Sequence, residues 1–252
     1  MQVKDKLIAI TGAGKGIGRA MSLLFASRGA HLALMDVNDT DLQHTASLCS
    51  AHGVKAGTYR CNVASEDDVI AAFDKVASDF KRLDVLINNA GILRDAMLVK
   101  RDNHQVKKMS LEHWQQVIDV NLTGVFLCGR EAAEHMIKFG NGGVIINLSS
   151  ISRAGNIGQS NYAAAKAGVA SLTVVWAKEL ARYGIRTGAI APGFIHTDIL
   201  NAMPEQILQS VLAQVPLRRG GQPEEVAAAA AFIVENDYFS GRVIELDGGL
   251  RL

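Results

Sequence analysis

The 252-residue chain has almost no excess of either charge: 26 Lys and Arg against 25 Asp and Glu leave it at +1. No run of like charge is long, which argues against a nucleic acid or a membrane surface as partner. Cysteine is sparse. Cys49, Cys61 and Cys128 are odd in number, widely spaced and set among apolar or helical residues. That pattern excludes a disulfide frame or a metal centre and points to buried thiols in a reducing compartment. No apolar stretch reaches the ~18 residues of a membrane span, and MQVKDKLIAITG enters a strand without the pattern of a signal peptide. A cytoplasmic protein is therefore expected. Repeats, low-complexity segments and linkers are also missing, so residues 1–252 should form one domain with a substantial core.

What is present is an alternation. Short apolar runs at 7–10, 31–36, 54–61, 83–87, 142–150, 185–190 and 243–246 read as strands. Helical patterns separate them: after Gly18, over 39–52, from Ser65, over 109–139, over 159–183, over 199–216 and from Pro223. Strands alternating with helices predict an α/β fold, a doubly wound parallel sheet of about seven strands with helices on both faces. In such sheets ligands bind at the carboxyl ends of the strands, and the glycine turn, Asp36, Asn62 and the Asn88–Gly91 loop all fall at such an end.

The first is Thr11-Gly12-Ala13-Gly14-Lys15-Gly16-Ile17-Gly18, between a strand and a helix. Glycines there permit a tight turn and let backbone N–H groups and a helix N-terminus approach a pyrophosphate. The second strand ends in Asp36, close to the spacing at which an acid receives the adenosine ribose hydroxyls. A carboxylate there repels a 2′-phosphate and favours NAD(H) over NADP(H), while Lys15 pulls weakly the other way. The alternative for Asp36 is a cap on the following helix. The fourth strand ends in Asn88-Asn89-Ala90-Gly91, suited to a loop that packs on adenosine while its amides bind backbone.

The chemistry is concentrated in 149–166, SSISRAGNIGQSNYAAAK. Tyr162 and Lys166 share a helix face at four residues' spacing. A phenol titrates near pH ~10. A neighbouring ammonium favours the phenolate, so Tyr162 could exchange a proton with a carbonyl or alcohol oxygen near neutrality. Asn121 is expected mid-helix, where an Asn can compete for backbone groups and produce a local irregularity.

Taken in order, TGAGKGIG, NNAG, the Asn121 of DVNLTG, the serine pair, YAAAK and PGFIHTD resemble the short-chain dehydrogenase/reductase family, from Lys6 to the C-terminus and closest to its 3-oxoacyl-carrier-protein reductase branch. The resemblance implies a Rossmann fold and a catalytic set of Asn121, Ser150, Tyr162 and Lys166, with Asn121 acting through water. It implies cofactor contacts at Gly12, Gly14, Lys15, Gly16, Ile17, Gly18, Asp36, Asn62, Val63, Asn89, Ala90, Gly91, Tyr162, Lys166, Pro192, Gly193, Ile195 and Thr197. Three departures stand out. Residues 99–108 look like an insertion, read as a surface hairpin or else a polar loop. Asn62 stands where the family usually has an Asp toward adenine. The segment before Tyr162 is compressed, so counting back gives Ser149, whereas strand register gives Ser150. Register sets which side chain faces the site and a loop absorbs deletions, which favours Ser150.

The implied activity is reversible hydride transfer between a nicotinamide cofactor and a ketone or secondary alcohol, with a 3-oxoacyl thioester as the best substrate class. The alternatives are an NAD-dependent alcohol or hydroxysteroid dehydrogenase, or a nucleotide-binding redox sensor without turnover. An acyl carrier protein is a candidate partner, with Lys138, Arg153, Arg182, Arg218 and Arg219 as candidate contacts. His196 reads as a loop residue. Residues 195–216 are expected to form a lid or a fixed amphipathic helix. Helices 110–139 and 159–183 are expected to pair into a homodimer or homotetramer.

Overall fold

The computed structural model describes residues 1–102, 105–197, 200 and 205–251. Seven parallel strands form one sheet in the order β3-β2-β1-β4-β7-β8-β9. They are β1 (Leu7–Thr11), β2 (His31–Asp36), β3 (Ala56–Arg60), β4 (Val85–Asn88), β7 (Gly143–Leu148), β8 (Ile185–Pro192) and β9 (Arg242–Leu246). Between β4 and β7 lies a separate antiparallel pair, β5 (Val99–Asp102) and β6 (Gln105–Lys108). This is the expected surface hairpin; its turn, 103–104, lies outside the described residues.

The strands are apolar throughout because both faces are covered. In β1, Leu7 and Ala9 face one way and Ile8 and Ile10 the other, as the two-residue repeat of a strand requires. Ile8 and Ile10 meet α1 (Gly16–Ser27), α2 (Asp39–Ser50) and the penultimate stretch of chain, whose helix carries Val226 and Ile233. Leu7 and Ala9 meet α3 (Glu66–Phe80), α5 (Gly124–Phe139) and α6 (Ser160–Glu179) through Phe73, Met136 and Trp176. Phe25 and Phe73 anchor the two layers almost without exposure, and each full burial contributes about 1.5–3 kcal/mol. Further helices among the described residues are α4 (Leu111–Ile118), α7 (Glu205–Leu212) and α8 (Pro223–Glu235). The lid expected over 195–216 falls partly on 198, 199 and 201–204, outside the described residues; α7 occupies its later part.

Several expected elements are shorter or interrupted. Helix 109–139 is not continuous. Ser110 caps α4, its hydroxyl accepting the His113 N–H at 3.1 Å, and a π-helical turn over Asp119–Thr123 then separates α4 from α5. Asn121 lies in that turn, so the expected irregularity is present. Helix 159–183 stops at Glu179 and passes through a 3-10 turn, Ala181–Tyr183, to Gly184 at φ 69°. Gly168 lets α6 pass close to the π turn: a Cβ there would lie 2.9 Å from the Leu122 side chain. Cys49, Cys61 and Cys128 are buried free thiols, and burial raises Cys49 and Cys61 to about 11.

The strand order reverses between β1 and β4. Chain to one side of that line is β2 and β3, to the other β7, β8 and β9. A cleft at the carboxyl ends of β1 and β4 is the geometric consequence.

Candidate active site

The glycine turn after β1 and the Asn loop after β4 are built against each other. The Asn89 amide nitrogen donates to the Thr11 and Gly12 carbonyls, both at 3.0 Å, and the Thr11 hydroxyl accepts the Asn89 and Ala90 N–H groups at 3.0 and 3.1 Å. Gly12 has φ 64°, and a Cβ on it would meet the Ala90 Cα at 2.9 Å. A Cβ on Gly18 would lie 2.0 Å from the Gly12 carbonyl oxygen. Both positions therefore exclude any side chain, and the first turn of α1 holds no acid that would oppose an anion.

Asp36 faces this turn. One carboxylate oxygen accepts the Gly14 N–H at 3.0 Å, and the other accepts Val37 and Asn38 N–H at 2.8 and 3.2 Å. It does not cap α2. Asn38 does, accepting the Asp41 N–H at 3.1 Å. Arg60 lies opposite Asp36 in register and lines the same cleft. Asn62 uses its side-chain carbonyl on the Ala64 N–H at 3.1 Å, leaving one lone pair of that oxygen for a further donor.

The cleft has a volume of about 1610 Å³. Gly12, Lys15, Gly16, Ile17, Asp36, Asn62 and Val63 line one arm, and Asn89, Ala90 and Gly91 its middle. Ser149, Ser150, Tyr162, Lys166, Pro192, Gly193, Ile195 and Thr197 line the other arm. Gly14, Gly18 and Asn121 do not reach its surface. Gly14 and Gly18 act through the backbone. Asn121 is fully buried and brackets Ile92, accepting its N–H at 2.8 Å and donating to its carbonyl at 2.9 Å. His196 is not part of the lining.

The two serines part company at the end of β7. Ser149 donates its hydroxyl to the Lys166 carbonyl at 2.8 Å, which ties β7 to α6. The Ser150 hydroxyl accepts the Ser152 N–H at 3.1 Å and is near enough to the Tyr162 phenol to hold its pKa down. Ser150 is thus the serine that meets the tyrosine.

The electrostatics differ from the expectation of a lowered phenol. Burial pushes the Tyr162 pKa up, Ser150 pulls it back and the Asp95 carboxylate adds to the rise. Lys166 does not offset this. Its ammonium lies 5.6 Å from the ring centroid and donates to the Leu148 carbonyl at 2.7 Å. Burial alone lowers Lys166 to about 8, which weakens the charge it presents in alkaline solution.

Further polar residues of this wall escaped the motif reading. Gln159 donates to Asp95 at 2.9 Å and accepts from Asn156 at 3.0 Å, and all three line the cleft beside Tyr162. Buried Asn161 accepts the Tyr162 N–H at 2.8 Å and donates to the Arg94 and His113 carbonyls. Asn147, an amide within the apolar strand GVIINL, bridges Asn88 to Thr173. That one polar side chain in an apolar run was its signal.

Fold and cleft together define a dinucleotide-binding α/β protein with a Ser–Tyr–Lys wall. A family model described as enoyl-(acyl carrier protein) reductase matches residues 12–251. The 3-oxoacyl-[acyl-carrier-protein] reductase FabG of Thermotoga maritima is 42% identical over 252 residues, covering 99% of both chains. The (3R)-3-hydroxyacyl-CoA dehydrogenase of Mus musculus is 39% identical over 261 residues, covering 99% of this chain and 98% of the relative. Among solved structures, levodione reductase superposes with a TM-score of 0.89 at 32% identity, covering 98% of this chain and 97% of that one. A short-chain type dehydrogenase/reductase from Mycobacterium marinum gives 0.90 at 33%, covering 98% and 96%. The chain belongs to the short-chain dehydrogenase/reductase family, oxidoreductases that act on CH–OH groups with a nicotinamide cofactor.

Proposed function

We propose that this chain interconverts 3-oxoacyl and 3-hydroxyacyl thioesters, with NAD(H) favoured over NADP(H). The observation that carries the reading is the convergence of Ser150, Tyr162 and Lys166 on the wall of the same cleft that the glycine turn lines. The names of the Thermotoga and mouse relatives supply the thioester class.

The side-chain-free turn at Gly12 and Gly18 and the fixed Asp36 carboxylate fit a dinucleotide. Residues Gly12 to Gly18 would hold its pyrophosphate, Asp36 the adenosine ribose, and Asn62 and Val63 the adenine. Asn89, Ala90, Gly91, Pro192 and Gly193 would flank it. Tyr162 and Lys166 would hold the nicotinamide ribose, and Ile195 and Thr197 the carboxamide. The cofactor supplies or accepts a hydride. Ser150 and Tyr162 hydrogen-bond the substrate carbonyl oxygen, and Tyr162 gives that oxygen its proton as the carbonyl carbon is reduced. Lys166, held by the Leu148 carbonyl 5.6 Å from the Tyr162 ring centroid, lies on the water route that returns a proton to the phenolate, and Asn121, locked to Ile92 in the π turn, supports that route. Asp36 favours NAD(H) because three backbone N–H groups hold its charge where a 2′-phosphate would come; Lys15 and Arg60 oppose it more weakly. Exposed Phe126 and Ile137 on α5 and Val174 and Val175 on α6 support pairing of these helices into a homodimer or homotetramer.

The test is turnover of an acetoacetyl thioester by the purified chain under NADH and then NADPH, beside a cyclic secondary alcohol under NAD. Faster thioester reduction with NADH is expected. Preference for NADPH would remove Asp36 as the selector. Faster oxidation of the cyclic alcohol would move the reading to an alcohol or hydroxysteroid dehydrogenase.

A further inference from the structure

Two-stranded hairpins standing alone are marginal in water. Here β5 and β6 form one that pairs with no other strand, and its described side chains are exposed. Residues 97–108 hold Lys100, Arg101, Lys107 and Lys108 against a single acid, Asp102, in a chain of net charge +1. The register sets Lys100 directly across from Lys107 on one face of the hairpin. On the opposite face Arg101 sits across from Val106, and Val99 from Lys108. Apolar surface continues on either side, with Leu98 69% and Leu111 77% exposed.

The hairpin is rooted at the cleft. Arg94 and Asp95 line it, Ala96 bridges to Gln159 with its N–H on the Gly158 carbonyl at 2.9 Å, and Met109 closes the stem on Leu98 at 3.1 Å. Gln159 lies three residues before Tyr162. Of the five basic residues chosen from sequence as carrier contacts, four are occupied, and the fifth, Arg182, lies 5.5 Å over the Tyr183 ring. Lys138 is paired with Glu134 at 2.6 Å, Arg153 with Glu245 at 2.5 Å and Arg219 with Glu225 at 2.6 Å, while Arg218 donates to the Ala213 carbonyl. Among the described residues Lys100, Arg101 and Lys108 have no carboxylate partner.

We propose that the two strands of this hairpin, with Leu98 at its stem, are the docking element for an acidic carrier protein that presents the acyl thioester to the cleft. The proposal rests on the thioester reading above. Cations on both faces, interleaved with exposed aliphatic side chains, match an acidic protein surface with an apolar ridge. A coenzyme nucleotide is too small to cover both faces, and a second copy of the hairpin would repel the first.

The experiment compares the native chain with a fourfold variant, K100E, R101E, K107E and K108E, on two substrates: acetoacetyl-carrier protein and the carrier-free acetoacetyl thioester of N-acetylcysteamine. The expected result is a loss of about tenfold or more in kcat/KM on the carrier substrate, expressed in KM and in a flattened salt dependence. Turnover of the small thioester should stay within about twofold, since exposed rim charges act on encounter and not on chemistry. Equal carrier kinetics in both proteins would overturn the proposal. So would an equal loss on both substrates, which would make the hairpin part of the site's support. If the native chain reduces neither thioester, the functional reading fails. The hairpin is then tested by titrating native and variant protein with the carrier protein alone, where equal binding overturns it.

Discussion

The two arms of the cleft are held by different means. On the arm around Gly12 and Asp36 nearly every fixed contact ends on main chain: Asn89 on the Thr11 and Gly12 carbonyls, Asp36 on three N–H groups, and Thr11 on the N–H groups of the Asn loop. Main-chain contacts leave little room for substitution. On the arm around Tyr162 main-chain contacts fix Ser149, Ser150, Asn161 and Lys166, but the rim beside them is a chain of side chains, Asn156 to Gln159 to Asp95, from which the hairpin springs. A wall of that kind can change its recognition without moving the fold. On the proposed reading, nucleotide binding and substrate choice are therefore separable.

Substitutions on the second arm should therefore alter chemistry and leave dinucleotide binding intact. The largest effect is expected at Ser150. Ser150→Ala removes a donor to the reacting oxygen and should lower kcat by about 10²–10³, with NADH affinity unchanged by fluorescence titration. Loss of the Ser150 hydroxyl also leaves the Tyr162 pKa higher, so the pH limb of alcohol oxidation, which needs the phenolate, should move to higher pH. Ser149→Ala should instead cost about 1 kcal/mol of stability by freeing the Lys166 carbonyl, with turnover near native. The reverse outcome, inactive Ser149→Ala and active Ser150→Ala, would exchange the two assignments.

A smaller effect is expected at Asp95. Its carboxylate raises the Tyr162 pKa, so Asp95→Asn lowers it and moves the oxidation limb to lower pH, opposite to Ser150→Ala. Asn keeps an acceptor for the Gln159 amide. An unmoved limb in a pH–rate profile would separate Asp95 from the tyrosine and leave it as part of the wall only. Opposite shifts from two residues on one wall would establish that the substrate arm tunes the phenol.

Legibility in the sequence followed the same division. The sheet, the order of its helices and the glycine turn were readable because buried strands are continuous apolar runs and because a turn on a pyrophosphate demands glycine. The hairpin showed in the alternation of 99–108. Strand register favoured Ser150 over Ser149; in the structure both line the cleft, with the Ser149 hydroxyl spent on the Lys166 carbonyl. The break at Asp119–Thr123 was readable as an Asn in mid-helix, but not its form as a π turn, which depends on Ile92 arriving from another segment. Asp95, Gln159 and Asn161 were invisible because their partners are brought together only by the loop after β4. The direction of the Tyr162 shift also escaped, since burial and the Leu148 carbonyl's hold on Lys166 are tertiary facts. Residues 201–204 of the expected lid lie outside the described chain.

The most direct measurement is single-turnover reduction of an acetoacetyl thioester by Tyr162→Phe under saturating NADH, with NADH binding measured on the same protein. The phenyl ring keeps the packing and removes the proton. The expected result is a rate lower by about 10²–10⁴ with binding retained. Turnover near the native rate would contradict Tyr162 as the proton donor and with it the chemistry proposed for this cleft.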